Sequence, residues 1–126
     1  MSSNLRRVLF SLMGGYSMRV LKTFYYWNKS IGSGSSINLV TFSTSKSAFA
    51  VFKFATYHIS DSDKYDWYDR INASLEHHIL SGDSARYIDS NIKFIEATLT
   101  NSSLNLTNIY SDTYYYGIEG VIYEVD

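Results

Sequence analysis

The sequence predicts an α+β fold, in which a mainly antiparallel sheet built from two hairpins packs with two helices. Residues 48–59 are aromatic and branched, with no Gly or Pro, which is the composition of a buried strand. Apolar residues recur at helical spacing in two segments, 4–24 and 63–80. Residues 87–125 are predicted to be rich in strands, because the segments 104–110 and 114–125 alternate between apolar and polar residues. The predicted order is therefore helix, hairpin, helix, hairpin.

The first predicted helix spans residues 4–24, after the good N-cap residues Ser2 and Ser3. Its apolar stripe consists of Leu5, Val8, Leu9, Leu12, Met13, Tyr16, Met18, Leu21 and Phe24. A glycine costs a helix roughly 1 kcal/mol relative to alanine, so Gly14 and Gly15 predict a kink or a stop. Packing on the sheet is the plainer interpretation of this stripe, and a partner-binding or membrane-surface helix is the alternative.

The first predicted hairpin spans residues 37–60, with a polar turn between the strands 37–42 and 48–59. Both faces of the second strand are mainly apolar, so we expect helices on one face and a second sheet or another subunit on the other. The glycines of the preceding loop, 30–36, do not form a phosphate-binding loop. That motif requires Gly-Lys-Ser/Thr opening a helix, and here a strand follows.

The second predicted helix spans residues 63–80, with Asp63 and Asp66 spaced like a capping box and Gly82 as its stop. Its apolar stripe consists of Trp67, Tyr68, Ile71, Leu75, His78 and Ile79. The strands predicted in residues 87–125 close the chain. In the last of them, Gly117 and Gly120 predict twist, a bulge or a close backbone approach.

Length and composition predict a single domain, residues 1–126, of a soluble protein. The chain contains 0 Cys, which excludes disulfides and thiolate metal sites. No apolar run approaches the roughly 18 residues of a transmembrane helix, so we expect no contact with a membrane. The start of the chain lacks a convincing cleavage site after its short apolar run, and we therefore expect no signal peptide.

Charge is divided unevenly along the chain. Residues 1–60 carry seven Lys and Arg and no acid, whereas residues 61–126 carry all 12 acids against four Lys and Arg. The two halves could mix in space, so that the asymmetry has no meaning. They could instead form a dipolar subunit whose basic face meets the acidic face of a neighbour, as in a head-to-tail ring. A basic face for nucleic acid is a third interpretation, weakened because no basic cluster exceeds Arg6-Arg7.

The sequence contains no catalytic signature, and we expect no catalytic residue, no metal and no cofactor. Among the histidines, His77 and His78 are adjacent, and adjacent helical side chains point about 100° apart, which does not suit one shared ion. No nucleophile-elbow motif supports a serine triad. The prediction is therefore a protein that is not an enzyme, and a small enzyme with a pocket that no motif reveals is a further alternative.

Two runs of three aromatics predict a protein interface, because alternation cannot bury all three side chains of a run. The predicted interface residues are Arg6, Arg7, Arg19, Lys22, Tyr25, Trp27, Tyr114, Tyr115, Tyr116 and Glu119. Stacking on single-stranded nucleic acid is the competing use of such rings, but it favours interleaved Lys and Arg. Residues 110–125 contain none. The alternative function is therefore a small nucleic-acid-binding domain that uses the basic N-terminal half, with Arg6, Arg7, Arg19, Lys22 and the 25–27 cluster.

The predicted order of elements resembles the tail-terminator or tail-completion proteins of long-tailed bacteriophages. The likeness covers residues 37–125 and has three parts. The long apolar strand 48–58 precedes a short helix with the sequence Trp-Tyr-Asp-Arg-Ile-Asn-Ala-Ser-Leu, residues 67–75. The segments 92–99 and 117–125 look like that family's closing pair of strands. The absence of Pro and the Tyr-rich tail depart from typical members.

This resemblance implies a non-enzymatic virion subunit. It implies a homo-oligomeric ring, usually a hexamer, at the phage tail or the head–tail junction, in contact with tail tube and head-completion proteins. The protein would then be located in the virion, and in the host cytoplasm during assembly.

Overall fold

The computed structural model describes residues 18–58, 66–88 and 94–125, which form eight strands and one short helix. About two thirds of the described residues lie in strands. The strands are β1 (Met18–Ile31), β2 (Ser36–Thr41), β3 (Ser47–His58), β4 (His77–Leu80), β5 (Ser84–Ile88), β6 (Phe94–Leu99), β7 (Ser103–Thr107) and β8 (Tyr114–Val125), and the helix is α1 (Trp67–Asn72). The prediction of an α+β fold with two helices is therefore wrong, and the described part of the chain is a β-sandwich.

The strands form two four-stranded sheets in which every pairing is antiparallel. The first sheet has the order β1-β8-β3-β4 and the second has the order β2-β7-β6-β5. The chain crosses between the sheets after β1, β2, β4 and β7. Strands β1 and β4 are the edges of the first sheet, and β3 and β8 are its two inner strands.

The core lies between the two sheets, and alternation along β3 explains how it forms. Ala48, Ala50, Phe52 and Phe54 belong to the core, whereas Phe49, Val51 and Lys53 between them point to the outer face. The second sheet contributes the side chains Leu39, Val40, Ile95, Ala97, Leu99, Leu104 and Leu106. The expectation that a second sheet covers one face of this strand is confirmed.

Helix α1 covers one end of the outer face of the first sheet. Trp67 and Ile71 are buried against Ala55 and Tyr57, and the part-buried Tyr115 packs against them. Gly117 makes this close approach possible, because a Cβ at that position would lie 2.6 Å from Cε3 of Trp67. At the other end of the same face, Phe49, Leu80 and Val125 form a separate buried cluster.

The predicted first helix is wrong where the structure tests it. Residues 18–24 belong to strand β1 and pair with β8, and residues 4–17 lie outside the described residues. The segment 18–27 is rich in branched and aromatic side chains, which suit a strand. Its apolar residues also match helical spacing, so periodicity alone could not separate the two structures.

The predicted second helix is reduced to α1, the six residues Trp67–Asn72. The Ser74 hydroxyl donates a hydrogen bond to the carbonyl of Ile71, 2.7 Å away, and such local bonds compete with helix continuation. His77–Leu80 is strand β4 and pairs with β3. The predicted cap also differs, because the Asp66 side chain makes no capping hydrogen bond; Asp63 lies outside the described residues.

Both strands of the predicted hairpin 37–60 are present in the structure, but they do not pair with each other. Strands β2 and β3 lie in different sheets, where β2 pairs with β7 and β3 pairs with β4 and β8. The strands predicted in residues 87–125 are confirmed as β6, β7 and β8, and β5 begins earlier, at Ser84. The predicted closing pair, segments 92–99 and 117–125, corresponds to β6 and β8, which do not pair because they lie in different sheets.

Candidate functional site

An open groove of about 580 Å³ lies on the outer face of the first sheet. Its volume falls within the range of about 300–1,000 Å³ that is common for small-molecule sites. The outward side chains that line it come from β1, β3, β8 and the segment before β4, and they are Thr23, Tyr25, Val51, Lys53, Glu76, Glu119 and Val121.

Strand register explains why these side chains meet. Tyr25 pairs with Glu119, and Glu119 pairs with Lys53, so the three lie side by side across β1, β8 and β3. Because Phe52 pairs with His77, Glu76 lies beside Lys53 at the start of β4. This polar row borders an apolar row, in which Val121 pairs with Val51 and with Thr23. The groove is therefore apolar along one side and charged along the other.

The three charged groups of the groove differ in their contacts. Lys53 Nζ donates a hydrogen bond to the carbonyl of Asn72, at 3.3 Å. Glu76 Oε1 lies 2.9 Å from Nε2 of His78. Within the described residues, the part-buried Glu119 carboxylate has no hydrogen-bond or ion-pair partner. This carboxylate therefore has its acceptor capacity available to a molecule in the groove.

The Tyr25 side chain lines the groove on the β1 side, and the Trp27 ring contacts it from outside the lining. Tyr25 is 69% exposed and Trp27 is 43% exposed, and their ring centroids lie 5.8 Å apart at an interplanar angle of 61°. A β-bulge follows, because the register shifts between Tyr26 and Lys29. Asn28 in this bulge has a φ of 61°, a left-handed conformation that asparagine tolerates better than most residues.

Strand β1 also carries three exposed cations, which we call the basic edge: Arg19, Lys22 and Lys29. Arg19 lies 3.2 Å from Oε1 of Glu124. The Thr44 hydroxyl, and then Arg19, lower the pKa of the Glu124 carboxyl against the opposing effect of burial. Lys22 Nζ donates to the carbonyl of Thr41, at 2.9 Å, and Lys29 Nζ lies 5.2 Å from the centroid of the Tyr26 ring.

The opposite edge of the first sheet is acidic. Glu76 and Asp83 are exposed and flank strand β4, and we call this pair the acidic edge. Three strand spacings separate β1 from β4, which corresponds to about 14 Å. The charge asymmetry along the sequence is thus also an asymmetry across this sheet.

The residues predicted for an interface are distributed over three environments. Arg19, Lys22, Tyr25 and Trp27 are exposed on β1, and Glu119 lines the groove. Arg6 and Arg7 lie outside the described residues. In the tyrosine run, Tyr114 is 6% exposed and Tyr116 is 1% exposed, both in the core, while Tyr115 packs beside α1. Tyr114 and Tyr116 are therefore core residues, whereas Tyr115 keeps part of its ring exposed on the outer face, and its role in an interface stays a prediction.

The groove contains residues that the sequence did not indicate as functional. Lys53 is the one Lys, Arg, Asp or Glu residue of a strand that is mainly apolar or aromatic, and that isolation is the available signal. Glu76 belongs to the predicted second helix but not to its apolar stripe, and the pairing of β4 with β3 brings it beside Lys53.

No group of three or more His, Cys, Asp or Glu residues in the described ranges could hold a metal ion. His77, expected on a helix surface, instead packs against the rings of Phe52, Phe54 and Tyr87. Within those ranges, no helix is long and apolar enough to span a membrane. Comparison with protein-family models, curated proteins and solved structures finds no match for this chain.

Proposed function

We propose that this protein is a non-enzymatic structural assembly subunit whose copies join head to tail through the opposite edges of the first sheet. The observation that carries the proposal is the placement of Arg19, Lys22 and Lys29 on one edge, with Glu76 and Asp83 beside the other. A surface patch that complements a different patch on the same molecule generates rings or filaments.

The basic edge disfavours pairing with its own copy. Strand β1 has 14 residues and pairs with β8, and no other described strand pairs with its outer side, which presents backbone groups suited to another strand. Two antiparallel copies of β1 would place cations near cations, which is destabilising. An acidic partner edge relieves that repulsion, and this favours the head-to-tail arrangement.

The charges in such a contact determine the choice of partner and the rate of association more than the affinity. The cations are exposed and already make contacts within the subunit, so each contributes little to the free energy of association. Val20, on the same strand and 54% exposed, adds apolar area to the contact. Assembly should therefore weaken as ionic strength rises.

Charge reversal tests the proposal. The basic-edge variant is Lys22→Glu with Lys29→Glu, and the acidic-edge variant is Glu76→Lys with Asp83→Lys. We expect light scattering to show oligomers of the wild type at low salt and monomers of each variant alone. A mixture of the two variants should assemble again, because each then meets an oppositely charged edge, and misfolded variants could not do this. A wild type that is monomeric at every salt and protein concentration would overturn the proposal.

A subunit of a ring at a phage tail is a more specific function than the one proposed above, and it stays a prediction. The order of elements that carried the resemblance, helix, hairpin, helix and hairpin, is not the order of the described elements. The hexameric ring, the contacts with tail tube and head-completion proteins and the location in a virion are therefore predictions that need their own test. Electron microscopy of the assembled protein would show whether rings form.

A nucleic-acid-binding domain is the second candidate function. It is favoured by β1, which carries the basic edge together with the exposed rings of Tyr25 and Trp27. It is opposed by Glu76 and Glu119, whose carboxylates line the groove beside those rings and repel phosphates. Titration with single-stranded oligothymidylate at several salt concentrations separates the two functions, since phosphate contacts give an affinity that falls steeply with salt.

A further inference from the structure

The groove on the outer face of the first sheet presents donors, acceptors and an aromatic ring to the same space. Lys53 is a donor, Glu76 and Glu119 are acceptors, and Tyr25 contributes a ring that is mostly exposed. Val51 and Val121 form the apolar side. The groove is open to solvent rather than enclosed, so a bound molecule would lie on the sheet surface.

The order of charges disfavours ions of either sign. Lys53 lies between Glu119, its cross-strand partner, and Glu76. An anion, including a nucleic-acid phosphate, would meet a carboxylate on each side of the lysine. A polycation would meet the lysine in the middle of the row. A neutral molecule rich in hydroxyl groups can donate to both carboxylates and accept from the ammonium, and it meets no like charge.

We propose that this groove binds a neutral oligosaccharide. A sugar ring has a C–H face that packs on an aromatic ring and a rim of hydroxyls that form hydrogen bonds. Tyr25 supplies the ring, and Glu119, whose carboxylate has no partner within the described residues, supplies an acceptor. Trp27 contacts the Tyr25 ring in a T-shaped arrangement. This contact restricts the ring before binding and lowers the entropy cost of fixing it.

Of the residues named for the two proposals, Glu76 alone is shared between the groove and the assembly edges. Assembly uses the two strand edges, whereas the saccharide occupies the outer face between them. Glu76 belongs to both surfaces, so binding is tested without substitution of that residue. Failure of one proposal therefore leaves the other in place.

The test is a titration of the full chain, ¹⁵N-labelled, with neutral tetrasaccharides of glucose in α and β linkage, of xylose and of N-acetylglucosamine. We expect at least one of them to shift the amide signals of the groove residues on β1, β3 and β8. A heparin tetrasaccharide and spermine serve as the anionic and cationic probes. Shifts with spermine or heparin alone, or with none of the probes at millimolar concentration, would overturn the proposal.

Matched variants locate the binding. Tyr25→Ala should weaken binding by about tenfold or more through loss of the stacking surface, while Tyr25→Phe keeps it. Tyr68→Ala is the control, since Tyr68 is 65% exposed but lies on α1, outside the groove lining. Glu119→Gln should weaken binding and Glu96→Gln, on the second sheet, should not. Equal loss in Tyr25→Ala and Tyr68→Ala would overturn the assignment of the groove.

Discussion

At the scale of single residues, Gly120 shows how closely the inner strands approach each other. It pairs with Phe24 on one side and Phe52 on the other. An added Cβ would lie inside van der Waals contact of the Val51 carbonyl oxygen, and 2.9 Å from both Cζ of Phe24 and Cβ of Phe52. The carbonyl belongs to the backbone and cannot rotate away. We therefore expect Gly120→Ala to lower the free energy of unfolding by about 1–3 kcal/mol or more, measured by urea denaturation.

Gly32→Ala is the matched control for this prediction. Its Cβ would lie 3.4 Å from Oγ of Ser35, a flexible side chain, so the change should be nearly neutral. Equal free energies of unfolding for Gly120→Ala and Gly32→Ala would contradict the close approach of the backbone at Gly120. The sequence already indicated a tight position here, because glycines are rare inside strands. It could not identify the Val51 carbonyl as the neighbour, since that depends on the pairing of β3 with β8.

At the scale of elements, helix α1 is held to the first sheet chiefly by Trp67. This side chain is 3% exposed, and its ring lies 4.7 Å from that of Tyr57 at an interplanar angle of 82°. Its Nε1 is buried without a hydrogen-bond partner within the described residues. Trp67→Ala should lower the free energy of unfolding by about 3–5 kcal/mol, because it removes the largest contact between helix and sheet.

Tyr68→Ala is the control for a substitution that changes α1 without changing its contact with the sheet. Tyr68 is the next residue of α1 and is 65% exposed, so its loss should change the free energy of unfolding by no more than about 0.5 kcal/mol. Similar losses in Trp67→Ala and Tyr68→Ala would mean that α1 does not dock through Trp67. Hydrogen exchange should also show that Trp67→Ala loosens the amides of α1 more than those of β6 and β7, which lie in the second sheet.

Secondary structure could be predicted for segments that fit only a strand, and not for segments that fit both a helix and a strand. Composition identified β3, β6 and β8, and alternation identified β7. In β1 the apolar spacing favours a helix and the composition favours a strand, and pairing with β8 decides between them. The stripe from Trp67 to Ile79 was read as one helix, but the Ser74 hydrogen bond and the pairing of β4 with β3 divide it.

At the scale of the whole molecule, the arrangement of the strands could not be read from the chain. Strands that are neighbours in sequence were assigned to hairpins, whereas β2 and β3 lie in opposite sheets. The candidate site depends on that arrangement. Tyr25 and Glu119 could be singled out from the sequence, but Lys53 and Glu76 join them only because β8 and β4 both pair with β3. Topology, rather than composition, therefore assembles the groove.

One hydrogen bond joins the two sheets on the β4–β5 side, and its response to pH is predictable. The Tyr87 hydroxyl on β5 donates to the carbonyl of His78 on β4, at 2.9 Å. Burial, and then the charge of Asp83, raise the pKa of Tyr87 to about 12. In the unfolded chain the pKa is close to 10. The folded state therefore keeps a proton that the unfolded chain releases, and the stability that Tyr87 contributes is lost as pH rises from about 10 to about 12.

Tyr87→Phe isolates this effect from the titration of the other tyrosines and lysines, which both proteins share. At pH 8 the variant should be less stable than the wild type by about 0.5–1.5 kcal/mol, because the His78 carbonyl loses its donor. The difference should shrink as pH rises through 10 and 11, since only the wild type loses the Tyr87 contribution. Urea denaturation of both proteins at each pH measures it. Two stability curves that stay parallel from pH 8 to 11 would show that this tyrosine titrates alike in the folded and unfolded chains, and the bond between the sheets would then not depend on its protonation.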